Sequence, residues 1–270
     1  MCKIDVKTIM NRIFRPNFFT TALAILLMAS LSSCWENKDA AQVDLNLSLA
    51  WNGEVASIGD TVLYQGNMPL RLEKFKCYID NISLRTTDGD WISSGSIDLV
   101  EFMPTSELVT ADFDATVMKI GVEIDALRLG IGVDSFYNLL DNAPTSFPND
   151  HPLGIVGGAG MYWTWATGYI FTKFEGKVAL SEGEEFSEPF AFHTGTDSLY
   201  REVIIDLSES ICIAAEELHQ FNVSIDLGAS ISSSDDELDL LNNGITHTLD
   251  NVGLAERYVN LLDDAWSLAE

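Results

Sequence analysis

Three features of this chain predict an all-β fold, an antiparallel β-sandwich with a short C-terminal helix. Apolar and polar residues alternate in many short runs divided by turn residues such as Asn52-Gly53 and Asp88-Gly89. Met161, Tyr162, Trp163, Trp165, Tyr169 and Phe171 fall within eleven residues flanked by glycines, and aromatics favour a pleated surface. Helical spacing emerges only in the last thirty residues, where Leu254, Tyr258, Leu261, Leu262 and Trp266 share a face.

The N-terminus reads as a targeting segment and not as part of the fold. Lys3, Lys7, Arg12 and Arg15 precede an apolar stretch from Phe18 to Leu31 that is too short to be a transmembrane helix and ends in small residues. Leu31-Ser32-Ser33-Cys34 has the form of a lipobox. Residues 1–33 are therefore expected to be a lipoprotein signal, 34–42 a lipidated tether on Cys34, and 43–270 one β-sandwich domain. Several acyl chains on Cys34 would hold the protein to a membrane stably where one would not. Trp35-Glu36 carries no aspartate retention signal, so an outer-membrane lipoprotein of a bacterial envelope is expected.

The signal holds four basic residues and one acid, so the remainder carries about −29 where the whole chain carries −26. That sign excludes nucleic acid as a partner, since phosphate neutralisation needs Lys and Arg. The acids are dispersed, as on a solvated surface. Apart from Cys2 and Cys34 there are Cys77 and Cys212, both in strand-like segments. An oxidising compartment allows a disulfide between them or two buried free thiols, and neither belongs to a CxxC.

In order, Val43–Trp51 alternates as a first strand, followed by strands at Gly59–Tyr64 and Leu70–Leu84. In the latter, Phe75, Cys77 and Ile79 share a face, but Ile82 and Leu84 have the opposite parity. A bulge near Asp80-Asn81 is predicted. Thr87-Asp88-Gly89-Asp90 turns into Trp91-Ile92, and Ser96–Phe102 and Ala115–Ile131 are further strands. Asp134–Asp141 is expected to form a short helix and Asn142–Pro152 a loop. Residues 154–171 carry no charge, yet their glycines and alternation point to a central strand behind a glycine-rich loop, running on through Phe174. Phe186–His193, Val203–Leu207 and Phe221–Leu227 are strands, Ser232–Glu237 is an acidic turn, and no internal repeat occurs.

No GxSxG, Walker, HExxH or Rossmann signature occurs, and the Gly157-Gly158-Ala159-Gly160 run precedes a strand where a phosphate loop needs a helix. The expectation is a binding protein, not an enzyme. Of four histidines, His151 opens the glycine-rich loop and His193 ends a strand. Imidazole and thioether are ligands for copper, which makes His193, His151 and Met161 candidate metal ligands. His219 and His247 lie in polar or helix-cap surroundings and receive no role.

The run GMYWTWATGYIFTKFEG (160–176), followed by FHTG (192–195), resembles the MbnP-like copper-binding family. The order of YIDNISL (78–84), TDGDW (87–91), SIDLVEF (96–102) and IGVDS (131–135) is similar too, so the resemblance spans most of residues 43–230. It implies an exported β-sandwich that binds copper through a histidine at the position of His193. It also implies a di-haem partner of the cytochrome c peroxidase class, which in such proteins oxidises a tryptophan to kynurenine. Trp91, Trp163 and Trp165 are then candidate oxidation sites. Members from methanotrophs are expected to use a Trp-x-His just before the strand corresponding to SIDLVEF, its tryptophan converted to the kynurenine ligand; here Trp91-Ile92-Ser93 has serine in the histidine's place. The resemblance thus leaves two readings: copper bound with another set, such as His193, His151 and Met161, or a metal-free structural or interaction lipoprotein on the same scaffold.

Overall fold

The computed structural model describes residues 42–104, 108–113, 121–139, 142–163, 168–214 and 217–269. The expected signal, Cys34 and most of the tether lie outside these residues, as does Trp165. The chain begins with β1 (Gln42–Trp51), β2 (Glu54–Ala56), β3 (Thr61–Tyr64), β4 (Met68–Thr86), β5 (Trp91–Ser93) and β6 (Ile97–Phe102). Next come β7 (Val109–Phe113), β8 (Val122–Ile131), β9 (Tyr162–Trp163), β10 (Gly168–Tyr169), β11 (Thr172–Val178) and β12 (Glu188–Thr194). Last are β13 (Arg201–Ile213), β14 (Leu218–Asp226), β15 (Ile245–Thr246), the helix α1 (Val252–Asp263) and β16 (Trp266–Leu268).

These strands form an all-β sandwich. The smaller sheet runs β16-β14-β1-β2, with β7 also on β1; the larger runs β13-β8-β4-β11-β12-β15. The 19-residue β4 is the spine of the larger sheet: β11 and then β8 pair along one edge, and β3, β6 and β5 along the other. Pairing is antiparallel except for β1 with β14 and β12 with β15, which run parallel. Between the sheets, Leu45, Leu47 and Leu49 of β1 share one apolar core with Phe75, Cys77 and Ile79 of β4.

The parity change in β4 is real. Its register with β8 shifts between Asp80 and Ser83, and Asn81 sits at φ 50°, which carries Ile82 and Leu84 back into the core. The last turns also follow their pattern: α1 buries Leu254, Ala255, Tyr258, Val259, Leu261 and Leu262, and Tyr258 stacks on Phe192 at 4.7 Å. Asn251 caps α1 by accepting from the Leu254 N–H.

Three expectations need correction. First, the aromatic stretch is not a central strand of the sandwich. β9 and β10 form a separate two-stranded ribbon, and Met161, Trp163 and Tyr169 bury themselves in a second apolar cluster with Tyr78, Val133 and Leu153. Tyr78 projects from the opposite face of β4 to Cys77, so the ribbon and the glycine-rich loop cover the larger sheet from outside. The loop lies close: a Cβ on Gly158 would come within 2.9 Å of the Tyr78 hydroxyl, which itself donates to the Pro152 carbonyl. Second, among the described residues of Asp134–Asp141, which end at Leu139, Asp134 starts a single turn and no helix, its carbonyl accepting from both Tyr137 and Asn138 N–H groups. The reason lies one residue earlier, where the Asp134 N–H is bound by the side chain of Asp80 and Val133 is drawn into the second cluster.

Third, Cys77 is a free thiol and does not pair with Cys212. Cys212 pairs with Glu123 of β8, whose next residue, Ile124, pairs with Thr86 of β4. Cys77 is nine residues from Thr86, on the order of 30 Å along the strand, far beyond the roughly 7 Å limit between Cα atoms of a disulfide. Burial in the core pushes the Cys77 thiol well up. Among the described residues no helix is long and apolar enough to cross a membrane.

Candidate metal centre

Alternation along β12 sends Phe190, Phe192 and Thr194 inward and leaves Ala191 and His193 on the outer face of the larger sheet. Register then fixes the neighbours of His193. It pairs with Lys173 of β11, which pairs with Lys76 of β4, which pairs with Glu101 of β6. On the other side β15 runs parallel to β12 with Ala191 against Ile245 and Phe192 against Thr246, so the following residues, His193 and His247, come side by side. Their ring centres are 5.0 Å apart with planes at 82°.

Each imidazole is held from behind by a carboxylate. His193 Nε2 lies 2.8 Å from Glu175 Oε1, and His247 Nδ1 lies 2.9 Å from Asp250 Oδ2. The His193 side chain is 14% exposed and that of His247 39%, so one ring is sheltered and the other opens to solvent. The hydrogen bond from His193 holds the Glu175 carboxyl down to about 2 against the burial that would raise it; Lys74, 3.4 Å from its second oxygen, adds to the effect. Burial lowers the Lys173 ammonium. Burial also raises Asp250, but hydrogen bonds from the His247 N–H and ring outweigh it and leave that carboxyl below its usual range. A neutral imidazole that donates through one nitrogen keeps a lone pair on the other, so the pair can offer two nitrogen donors.

The other predicted residues lie elsewhere. His151 stacks on Phe147 at 4.9 Å, and its Nδ1 accepts from the Leu153 N–H, which makes it a clasp of its own loop. Met161 is fully buried in the second cluster, its thioether among apolar side chains. Trp163 is 7% exposed and packs over Gly195. Trp91 pairs with Arg85 of β4, with the Arg128 guanidinium 4.6 Å and that of Arg85 5.7 Å from its ring. Lys76, level with His193, is nine residues from Arg85 on β4, so Trp91 and His193 sit on the order of 30 Å apart along the sheet.

Sequence reasoning passed over His247. Fifty-four residues separate it from His193, and only the parallel docking of a two-residue strand joins them. Among the described residues no group of three or more His, Cys, Asp and Glu gathers as a metal cage, so the pair stands as a two-imidazole arrangement.

Among known families, the model of MbnP matches residues 40–248. No curated protein matches the chain. Of solved structures, MbnP from Methylosinus trichosporium is similar at 14% identity and a TM-score of 0.44, with 77% of this chain and 83% of that chain covered. The family match takes in well over half of the sequence, from just before β1 to Thr248, and on that extent the chain belongs to the MbnP family.

Proposed function

We propose that this protein binds copper in the bacterial envelope, held there by lipid on Cys34, and that it acts as a binding protein beside a di-haem partner of the cytochrome c peroxidase class. The observation that carries the reading is His193. It is the histidine of the FHTG string, it points outward from a rigid strand, and Glu175 orients its ring so that one nitrogen is left to donate. The donor chemistry suits copper, which stands at the top of the divalent affinity order and takes imidazole readily. When bound, copper would supply a redox-active centre; the residues of this chain hold and orient the imidazole. The lipobox at Leu31–Cys34 supports the anchoring. The haem partner rests on the family resemblance and on tryptophans that could be its target. Among these, Trp91 lines an open groove of about 480 Å³ with Asp88, Asp90 and Val122.

Metal content and intact mass of protein purified from its own envelope test the proposal. About one copper per chain, lost on His193→Ala, is expected, with lipid mass on Cys34. The small mass gain of kynurenine on Trp91, Trp163 or Trp165 would add the haem partner. A chain without copper, unmodified at tryptophan, would make the protein a metal-free structural or interaction lipoprotein on the family scaffold.

A further inference from the structure

We propose that His247 is the second ligand of the copper site, so that His193 Nδ1 and His247 Nε2 together take a monovalent copper ion, with Glu175 and Asp250 as positioning residues. The inference rests on the copper reading above and adds to it the partner that the missing Trp-x-His would otherwise leave vacant.

Four observations carry it. The rings are 5.0 Å apart, and a metal about 2.0–2.1 Å from one nitrogen of each ring, at a bent N–metal–N angle on the order of 105–120°, sets their centres roughly 5–5.5 Å apart. The nitrogen of each ring that faces a carboxylate is already occupied, His193 Nε2 by Glu175 and His247 Nδ1 by Asp250. Both rings therefore carry the carboxylate–imidazole backing that fixes the tautomer of a metal-binding histidine and leaves the opposite nitrogen to donate. The segment bearing His247 is held in place with unusual firmness. Thr248, a buried β-branched residue, adopts φ 68°, and its hydroxyl donates to the backbone carbonyl of His193 itself. Asp250 accepts from the His247 backbone N–H at 2.6 Å as well as from its ring, so one carboxylate fixes both backbone and side chain.

The number of ligands points to the oxidation state. Zinc in a structural site takes four protein ligands, and among the described residues no third His, Cys, Asp or Glu joins this pair. Imidazole suits copper, and copper(I), with a filled d shell, accepts three donors; the bent angle that a 5.0 Å ring separation imposes leaves its third position to an incoming molecule. His247 is the more exposed ring, which leaves a path for a donor molecule to deliver or remove the ion.

The experiment is a competition for copper(I), under reducing conditions, between a chromophoric chelator and the full chain extracted from its envelope. Wild type, His193→Ala, His247→Ala, Glu175→Gln and Asp250→Asn are compared, each first checked for an unchanged thermal midpoint. His193→Ala and His247→Ala are each expected to weaken copper(I) at least a hundredfold, and the two carboxylate variants about ten- to a hundredfold. In nitrogen-15 spectra of the imidazoles, copper(I) should shift Nδ1 of His193 and Nε2 of His247, a response that packing alone does not produce. If wild type binds copper and His247→Ala binds it equally tightly, the two-histidine site is wrong while the copper reading stands. If wild type takes no copper, both fall.

Discussion

Asp80 is 1% exposed, yet it is a carboxylate whose two oxygens each accept a backbone N–H, from Asn81 at 2.7 Å and Asp134 at 2.8 Å. Burial raises its pKa to about 6 despite those hydrogen bonds. An unfolded aspartate releases its proton near 3.9, so between about pH 4 and 6 the folded chain keeps a proton that the unfolded chain has lost. Stability contributed by this group is therefore complete below pH 4 and falls as pH rises to 6, by on the order of 3 kcal/mol. Denaturant unfolding at pH 4, 5, 6 and 7 should show that fall in wild type and its loss in Asp80→Asn, which cannot ionise. Identical slopes in the two proteins would mean that Asp80 is ionised at low pH. Glu175 acts with the opposite sign and in another window: its pKa of about 2 contributes stability that is present above about 4.5 and lost as pH falls towards 2. The two carboxylates can thus be separated by pH as well as by mutation.

At the scale of elements, the ribbon of β9 and β10 depends on how closely it approaches β12. Gly195 follows directly on that strand, and a Cβ there would come within 2.6 Å of Trp163 Cζ3 and strike the Tyr169 carbonyl oxygen. Gly195→Ala is expected to lift the ribbon off the sheet, lower stability by about 1–3 kcal/mol and shift the emission of Trp163 to the red. An unchanged unfolding midpoint would show that the ribbon moves without cost. The same packing explains why the sequence misleads here. Met161, Trp163 and Tyr169 have the composition of a core strand, and they are buried; but they build a second core outside the sandwich, with Tyr78 and Leu153 beneath. Composition reports burial and says nothing of which side of a sheet is buried. Conversely, β4 announced itself, because its parity change at Asp80-Asn81 is a local event that alternation alone records.

Across the whole molecule, 41 acidic residues face 15 basic ones, so even with ion pairs such as Arg85 with Asp125 and Asp206 the acids are in large excess. Self-repulsion of that excess destabilises the compact state, and salt screens it with a Debye length of about 10 Å at 0.1 M. The thermal midpoint should accordingly rise by several degrees between about 0.02 and 0.5 M sodium chloride; a flat response would mean that the dispersed acids are too far apart to repel. By itself the sequence determined the strand content, the C-terminal helix, the bulge in β4, the acidic surface and the strand that carries His193, since each follows from local periodicity or composition. Only the tertiary structure decided three further things: that the aromatic ribbon caps the outside of the larger sheet, that Cys77 lies far from Cys212, and that His247 stands beside His193. Those depend on which distant strands pair and in what register, and a parallel docking such as β15 on β12 brings residues together across a span that leaves no periodic trace in the chain.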